Sequence, residues 1–332
     1  MQRWRKLLIP FSWLYGAIVY IRNLCYDWQI FASTKYTIPV ICIGNLSVGG
    51  TGKTPMTEYI ANLLADSYKT AILSRGYKRA TKGFVLADQN ATVSSLGDEP
   101  FQYHGKLPKV TVAVDEDRRH GIAQLQKGQG VDVILLDDGF QHRKVKAGFN
   151  VLLTMYGDLY VDDMLLPAGN LRDTKSQAAR ADIVVVTKCP SDLSEDQTKA
   201  IAARLKLSAK QQLYFSTIVY HQNVIGHKDT IALKELKSQH LTLVTGIAKP
   251  EPLLNYLNAQ GLNYTHLEYP DHHNFTAKEL AELKNCDFIL TTEKDYTRLS
   301  GHLNQLYYLP IGVKVLYQAK AFNESILRAV KG

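Results

Sequence analysis

Apolar positions along the chain fall into two rhythms. Short continuous runs at residues 40–43, 69–73, 110–114, 131–136, 150–154 and 182–187, several rich in Val and Ile, predict strands buried on both faces. Between them, residues 56–65, a segment opening at Pro100 and another running through Gln126 repeat at helical spacing. Strand–helix alternation of this kind predicts a parallel, doubly wound α/β sheet. The pattern loosens near residue 215. A second, smaller α/β unit is expected after it, with strands at 242–244, 264–268 and 288–291 and helices near 252–260 and 277–284.

The first residues follow a third pattern. Residues 7–21, LLIPFSWLYGAIVYI, carry no charge, and Arg3, Arg5, Lys6 and Arg22 flank them. No small-residue cleavage site follows Arg22, which argues against a secretory signal. The run is shorter than the ~20 residues that span a bilayer. Aromatics (Trp13, Tyr15, Tyr20) inside a basic collar predict a helix lying in an anionic membrane interface. The alternative is a helix packed on the protein's own core. The expected layout is a membrane-associating helix in 1–35, a nucleotide-binding domain in 36–215, and a smaller domain in 216–332 that closes the cleft.

Composition narrows the partners. The 332 residues are 45% hydrophobic, ordinary for a folded chain with room for two domains. A formal charge of +8 suits an anionic partner, without choosing between nucleic acid, a phosphorylated ligand and an acidic membrane. Cys25, Cys42, Cys189 and Cys286 are scattered, which argues against a disulfide frame or zinc ribbon and for a reducing compartment.

The chemistry centres on residues 39–55, PVICIGNLSVGGTGKTP. Strand, glycine-rich turn, Lys-Thr and helix make the context of a P-loop, in which backbone N–H groups cradle phosphate at a helix N-terminus. Ser47, Val48, Gly49, Gly50, Thr51, Gly52, Lys53 and Thr54 are the nucleotide-binding candidates. Lys53 would reach the β- and γ-phosphates and the Thr54 hydroxyl would ligate Mg²⁺. The pattern G-x-x-x-x-G-K-[ST] wants Gly where Ser47 stands. Asp137 and Asp138 close a buried strand in the manner of a Walker B pair and are the other metal candidates. Thr187-Lys188-Cys189-Pro190 opens like a guanine-reading motif but has Pro190 where Asp is required, so ATP is expected rather than GTP.

Phosphoryl transfer also needs a base for an acceptor hydroxyl. Asp98, in Gly97-Asp98-Glu99-Pro100, is one candidate, although Asp at a helix start is most often a cap. His272 and His273, in the turn 269–275, are others. A metal held by Asp271, His272 and His273 lacks further ligands at metal spacing. Arg75 follows a strand beside the nucleotide crevice, where it would meet a phosphate; the alternative is a surface arginine of a basic protein.

Jointly, the basic aromatic N-terminus, IGNLSVGGTGKTP, SRGY, GDEP, LDDGFQH, LPAGNLR, DHHNF and TTEKD resemble the tetraacyldisaccharide 4′-kinase family of lipid A biosynthesis over nearly the whole chain. Ser47 matches that family's loop. The resemblance implies a P-loop kinase fold, ATP and Mg²⁺, and a lipid-linked glucosamine disaccharide phosphorylated at its 4′-hydroxyl. It places the protein on the cytoplasmic face of the inner membrane, with no nucleic-acid or protein partner expected. It implies Asp98 and His272 acting together on the acceptor, with Lys53, Thr54, Asp137 and Asp138 serving ATP and metal. Arg75, Arg118, Arg119, Asn170 and Arg172 become candidates for the disaccharide and its phosphate, and Asp173 for a further carboxylate near the metal. The competing readings are a nucleotide-driven switch or insertion factor, which would leave Asp98 and His272 idle, and a scaffold without chemistry, which would leave Asp137 and Asp138 unused.

Overall fold

The computed structural model describes residues 3–271 and 273–331, so His272 lies outside the described residues. Among these residues one sheet has nine strands and another six. The large sheet contains β1 (Val40–Asn45), β2 (Thr70–Ser74), β3 (Val85–Leu86), β4 (Thr111–Val114), β5 (Val133–Asp137), β6 (Phe149–Met155), β7 (Ile183–Thr187) and β8 (Gln212–Tyr220). The small sheet contains β9 (Asn223–Ile225), β10 (Thr230–Ala232), β11 (His240–Thr245), β12 (Asn263–Glu268), β13 (Ile289–Thr292) and β14 (Leu306–Leu309), and β15 (Ile311–Val315) completes the large one. The large order is β15-β8-β7-β6-β1-β5-β2-β4-β3, parallel except at its two edges. β1, β2, β5 and β7 are buried at every position, which is why they read as unbroken apolar runs.

The longer helices among the described residues are α1 (Ile9–Asp27), α2 (Lys53–Ala65), α3 (Asp98–Lys106), α4 (Arg118–Gly128), α5 (Glu195–Leu205), α6 (Glu251–Ala259), α7 (Ala277–Leu283), α8 (Glu293–Leu299) and α9 (Ala319–Lys331). The apolar faces of α2, α3 and α9 cover one side of the large sheet and those of α4 and α5 the other. The position 215 falls inside β8, a strand of the large sheet. After the small sheet the chain returns, because α9 is amphipathic and packs Phe322 and Ile326 beside Met56, Ile60 and Leu64 of α2. The smaller unit is thus inserted ahead of the last strand and helix of the larger one.

The N-terminal helix is built inside out. Ser12 and Asn23 are buried, whereas Leu7, Phe11, Trp13, Leu14, Ile18 and Ile21 are exposed. Its polar groups bond the body: the Ala168 N–H donates to Ser12 Oγ at 2.9 Å, Tyr15 to the Arg172 carbonyl at 2.9 Å, and Asn23 to Asp173 at 2.7 Å. Arg5 donates to the Pro167 carbonyl and to Asn170, and Arg22 to the Gln141 carbonyl. Two arginines of the expected basic collar therefore hold the helix to the protein. A core-packed helix would bury the opposite face.

Candidate active site

The phosphate loop leaves the carboxyl end of β1, next to the carboxyl ends of β5 and β6, where α/β sheets bind ligands. Gly52 caps α2 in a left-handed conformation (φ 83°) that side chains disfavour. Gly44 has a packing reason: a Cβ there would stand 2.7 Å from Phe140 Cβ, so glycine lets the segment after β5 close over β1. Asn45 Nδ2 donates to Thr51 Oγ1 at 2.9 Å, and Thr187 Oγ1 donates to the Thr51 carbonyl at 2.7 Å, pinning the loop from two sides. The Val48 N–H goes to the Asn170 carbonyl at 2.7 Å, and the first N–H groups of α2, which begins at Lys53, have no partner within the helix.

Residues 164–173 form the wall beyond it. Leu171 bridges Ser47, and the Arg172 N–H donates to the Leu46 carbonyl at 2.7 Å. The Arg172 guanidinium grips Asp138 through two nitrogens, at 3.0 and 2.7 Å, and also reaches Asn45. Lys53 Nζ stands 3.3 Å from Asn45 Oδ1 and 3.7 Å from Asp138 Oδ1. Burial works to raise the Asp138 carboxyl, but the Arg172 hydrogen bonds and the Lys53 charge outweigh it and hold the group at about 2. Asp137 is the opposite case. Burial, then the charges of Asp138 and Glu99, push it up to about 7 against Lys53 and the Ser74 hydroxyl 3.3 Å away.

Asp137 Oδ1 is buried without a hydrogen-bond partner, beside a loop made for phosphate. A buried carboxylate oxygen left over there fits a hard divalent cation. The side chains of Thr54, Asp137 and Asp138 carry oxygen donors of the kind that Mg²⁺ takes alongside phosphate and water.

The arginine candidates separate. Arg118 is buried and opens α4, with Asp137, Asp138 and Arg75 as electrostatic neighbours; burial lowers its pKa and Asp137 opposes that. Arg75 is exposed at the end of β2. Arg119, by contrast, folds back on Asp117, the residue capping its own helix, at 3.0 Å. The Asn170 side chain accepts from Arg5 at 3.0 Å. The structure thus gives Arg119 and Asn170 local partners and does not bring them to the acidic pair. Arg172 does come to that pair, as a partner of Asp138. Asp173, expected near the metal, is buried against Asn23 of α1 instead, because its oxygen completes that helix's docking.

Asp98 is the first residue of α3, and Gly97 occupies the cap without a side-chain bond, so Asp98 is not the cap. Its carboxylate meets Arg298 of α8, in the smaller unit. The same helix carries Lys294, whose Nζ lies 3.1 Å from Asp271 Oδ1. His273 is held by Glu279 at 3.0 Å and stacked on Tyr269 at 4.9 Å. Sequence reading gave no role to Asn45, Ser74 or Arg298, although Asn45 and Ser74 stand inside IGNLSVGGTGKTP and SRGY and TTEKD leads into Arg298, and it read Thr187 only as the start of a guanine-type motif.

A phosphate loop facing an acidic pair at the carboxyl ends of a parallel sheet defines a P-loop protein of the phosphoryl-transfer type. The chain belongs to the LpxK family, tetraacyldisaccharide-1-P 4′-kinase, whose sequence profile matches residues 4–331. It is 51% identical to the tetraacyldisaccharide 4′-kinase of Flavobacterium johnsoniae, over 98% of this chain and 97% of that one. Identity to the enzyme of the same name from Bacteroides thetaiotaomicron is 45%, over 98% and 93%. The fold is similar to a crystal structure of LpxK from Aquifex aeolicus in complex with ATP, with a TM-score of 0.81 and 31% identity across 98% of this chain and 99% of that one.

Proposed function

We propose that this chain transfers the γ-phosphoryl group of ATP to the 4′-hydroxyl of a tetraacylated glucosamine disaccharide 1-phosphate, at the cytoplasmic face of the inner membrane. The observation that carries it is the meeting of the P-loop with Asp137 and Asp138 at the carboxyl ends of the central strands, with the Asp98–Glu99 start of α3 near enough for Glu99 to act on Asp137. Lys53 neutralises charge on the transferred group, the loop holds the phosphates in line, and Asp98 takes the acceptor proton with His272. Thr54, Asp137 and Asp138 would hold Mg²⁺, which supplies charge neutralisation across the phosphates. Arg75 and Arg118 face the anionic acceptor, and the smaller unit closes the cleft. The test is transfer of γ-labelled phosphate from ATP to a lipid-extractable product. Hydrolysis without transfer would favour a switch or insertion factor.

The raised Asp137 carboxyl gives a sign for pH dependence. Below about 7 it holds a proton that a divalent cation must displace. Mg²⁺-supported nucleotide binding is therefore expected to weaken as pH falls through that value, by up to ~10-fold per unit while one proton competes. Calorimetry at pH 6, 7 and 8 checks this, and Asp137→Asn should flatten the dependence.

The membrane assignment rests on the outward apolar face of α1 and the anionic inner leaflet it would meet. Leu14→Ser removes one exposed leucine from that face. It should weaken partition onto anionic vesicles about 10-fold, the value of burying part of such a side chain, with an unchanged melting temperature. Undiminished vesicle binding in sedimentation would detach α1 from the membrane role.

A further inference from the structure

We propose that Arg298 is a positioning residue for phosphoryl transfer, acting by fixing the Asp98 carboxylate at the mouth of the site. The inference rests on the reading of Asp98 as the base for the acceptor hydroxyl.

Helices α3 and α8 come from the two different units and are tied at both ends. At the far end, Lys106 Nζ lies 2.6 Å from Glu293 and 2.6 Å from Glu58 of α2, and donates to the Ile311 carbonyl at 3.1 Å. Glu58 and Glu293 are both buried. That end alone is a firm tie between the units, since breaking a buried ionic group is costly. At the near end the Arg298 side chain is 10% exposed and its partner Asp98 19%, and Glu99, next to Asp98, is close enough for its charge to act on Asp137.

Arg298 is itself fixed from behind. Its Nη1 stands 3.6 Å from Asp295 Oδ1. Asp295 is fully buried, accepts from the Gly246 N–H at 2.8 Å and from Thr292 Oγ1 at 2.7 Å, and so cannot drift. Gly246 has to be glycine for this, because a Cβ there would stand 2.9 Å from Asp295 Oδ1. In the chain Gly246, Asp295, Arg298, Asp98 the guanidinium spans two carboxylates, Nη1 toward the fixed Asp295 and Nη2 toward Asp98. Lys294, one turn earlier on α8, reaches Asp271 at 3.1 Å. One short helix thus addresses both Asp98 and Asp271.

A base must lie within hydrogen-bond reach of the proton it takes, and a misplacement near 1 Å costs about 10²-fold. Arg298 touches neither nucleotide loop nor acidic pair in the described contacts, so its effect should fall on turnover rather than on ATP. Steady-state transfer by R298Q and R298K, per folded molecule as judged by circular dichroism, provides the test. R298Q should lower kcat about 10- to 100-fold with the KM for ATP nearly unchanged. R298K, keeping charge without the planar fork, should recover part of the loss. Combining R298Q with D98N should be no slower than D98N alone, since residues acting as a unit are non-additive. Full kcat in R298Q overturns the proposal, as does a loss confined to the KM for ATP or one that multiplies with D98N. If R298Q does not fold, R298K carries the test, and full kcat there overturns it. Full transfer by D98N instead removes the base reading beneath it, a separate outcome.

Discussion

Lys53→Ala is expected to lower kcat by about 10²–10³, the scale for removing one preorganised electrostatic contact from a transition state. Lys53 opens α2 with its ammonium held near Asn45 and Asp138, where a phosphate on the loop would meet it. The substitution should leave the fold intact, because Asp138 keeps the two-nitrogen grip of Arg172 and the loop keeps its Asn45–Thr51 and Thr187–Thr51 bonds. Stability and rate are thus separable: the melting temperature should hold while transfer collapses. Near-normal turnover would remove the P-loop from the mechanism.

Asp98→Asn should lower kcat by on the order of 10²–10⁴, the range for losing a positioned general base, and change ATP affinity little. The amide keeps the shape of the side chain but neither accepts a proton nor pairs fully with Arg298. Because Gly97 rather than Asp98 caps α3, no cap is lost, and comparing rates per folded molecule separates the chemistry from any stability lost with the Arg298 pair. Adding His272→Ala should cost little beyond the worse single loss if the two act as one base. Multiplicative losses in a double-mutant cycle on kcat would sink the shared-base idea, and an unchanged rate in Asp98→Asn would sink the base itself.

Much of the larger unit was legible from residues close in sequence. Strands buried on both faces must be apolar throughout, so β1, β5 and β7 announced themselves within a residue or two of their ends. The phosphate loop is contiguous, and its strand, glycines and Lys-Thr carry their own structural context. Asp137 and Asp138 were legible for the same reason, as the polar end of an apolar run. The apolar character of α1 was equally plain.

Only the tertiary structure decided which way α1 faces. Composition cannot tell a helix that buries its apolar side from one that buries Ser12 and Asn23 and exposes Trp13 and Ile18. The fold also decided that β15 and α9 return to the large sheet, since a long-range antiparallel pairing with β8 leaves no local mark. Among the basic residues, adjacency misled: Arg118 is buried near Asp137 while Arg119 folds back on Asp117, because successive helix positions point about 100° apart. The Asp98–Arg298 pair joins positions 200 residues apart. The sequence determines which charges exist and which segments fold; which charges meet is set by packing, and no local pattern encodes it.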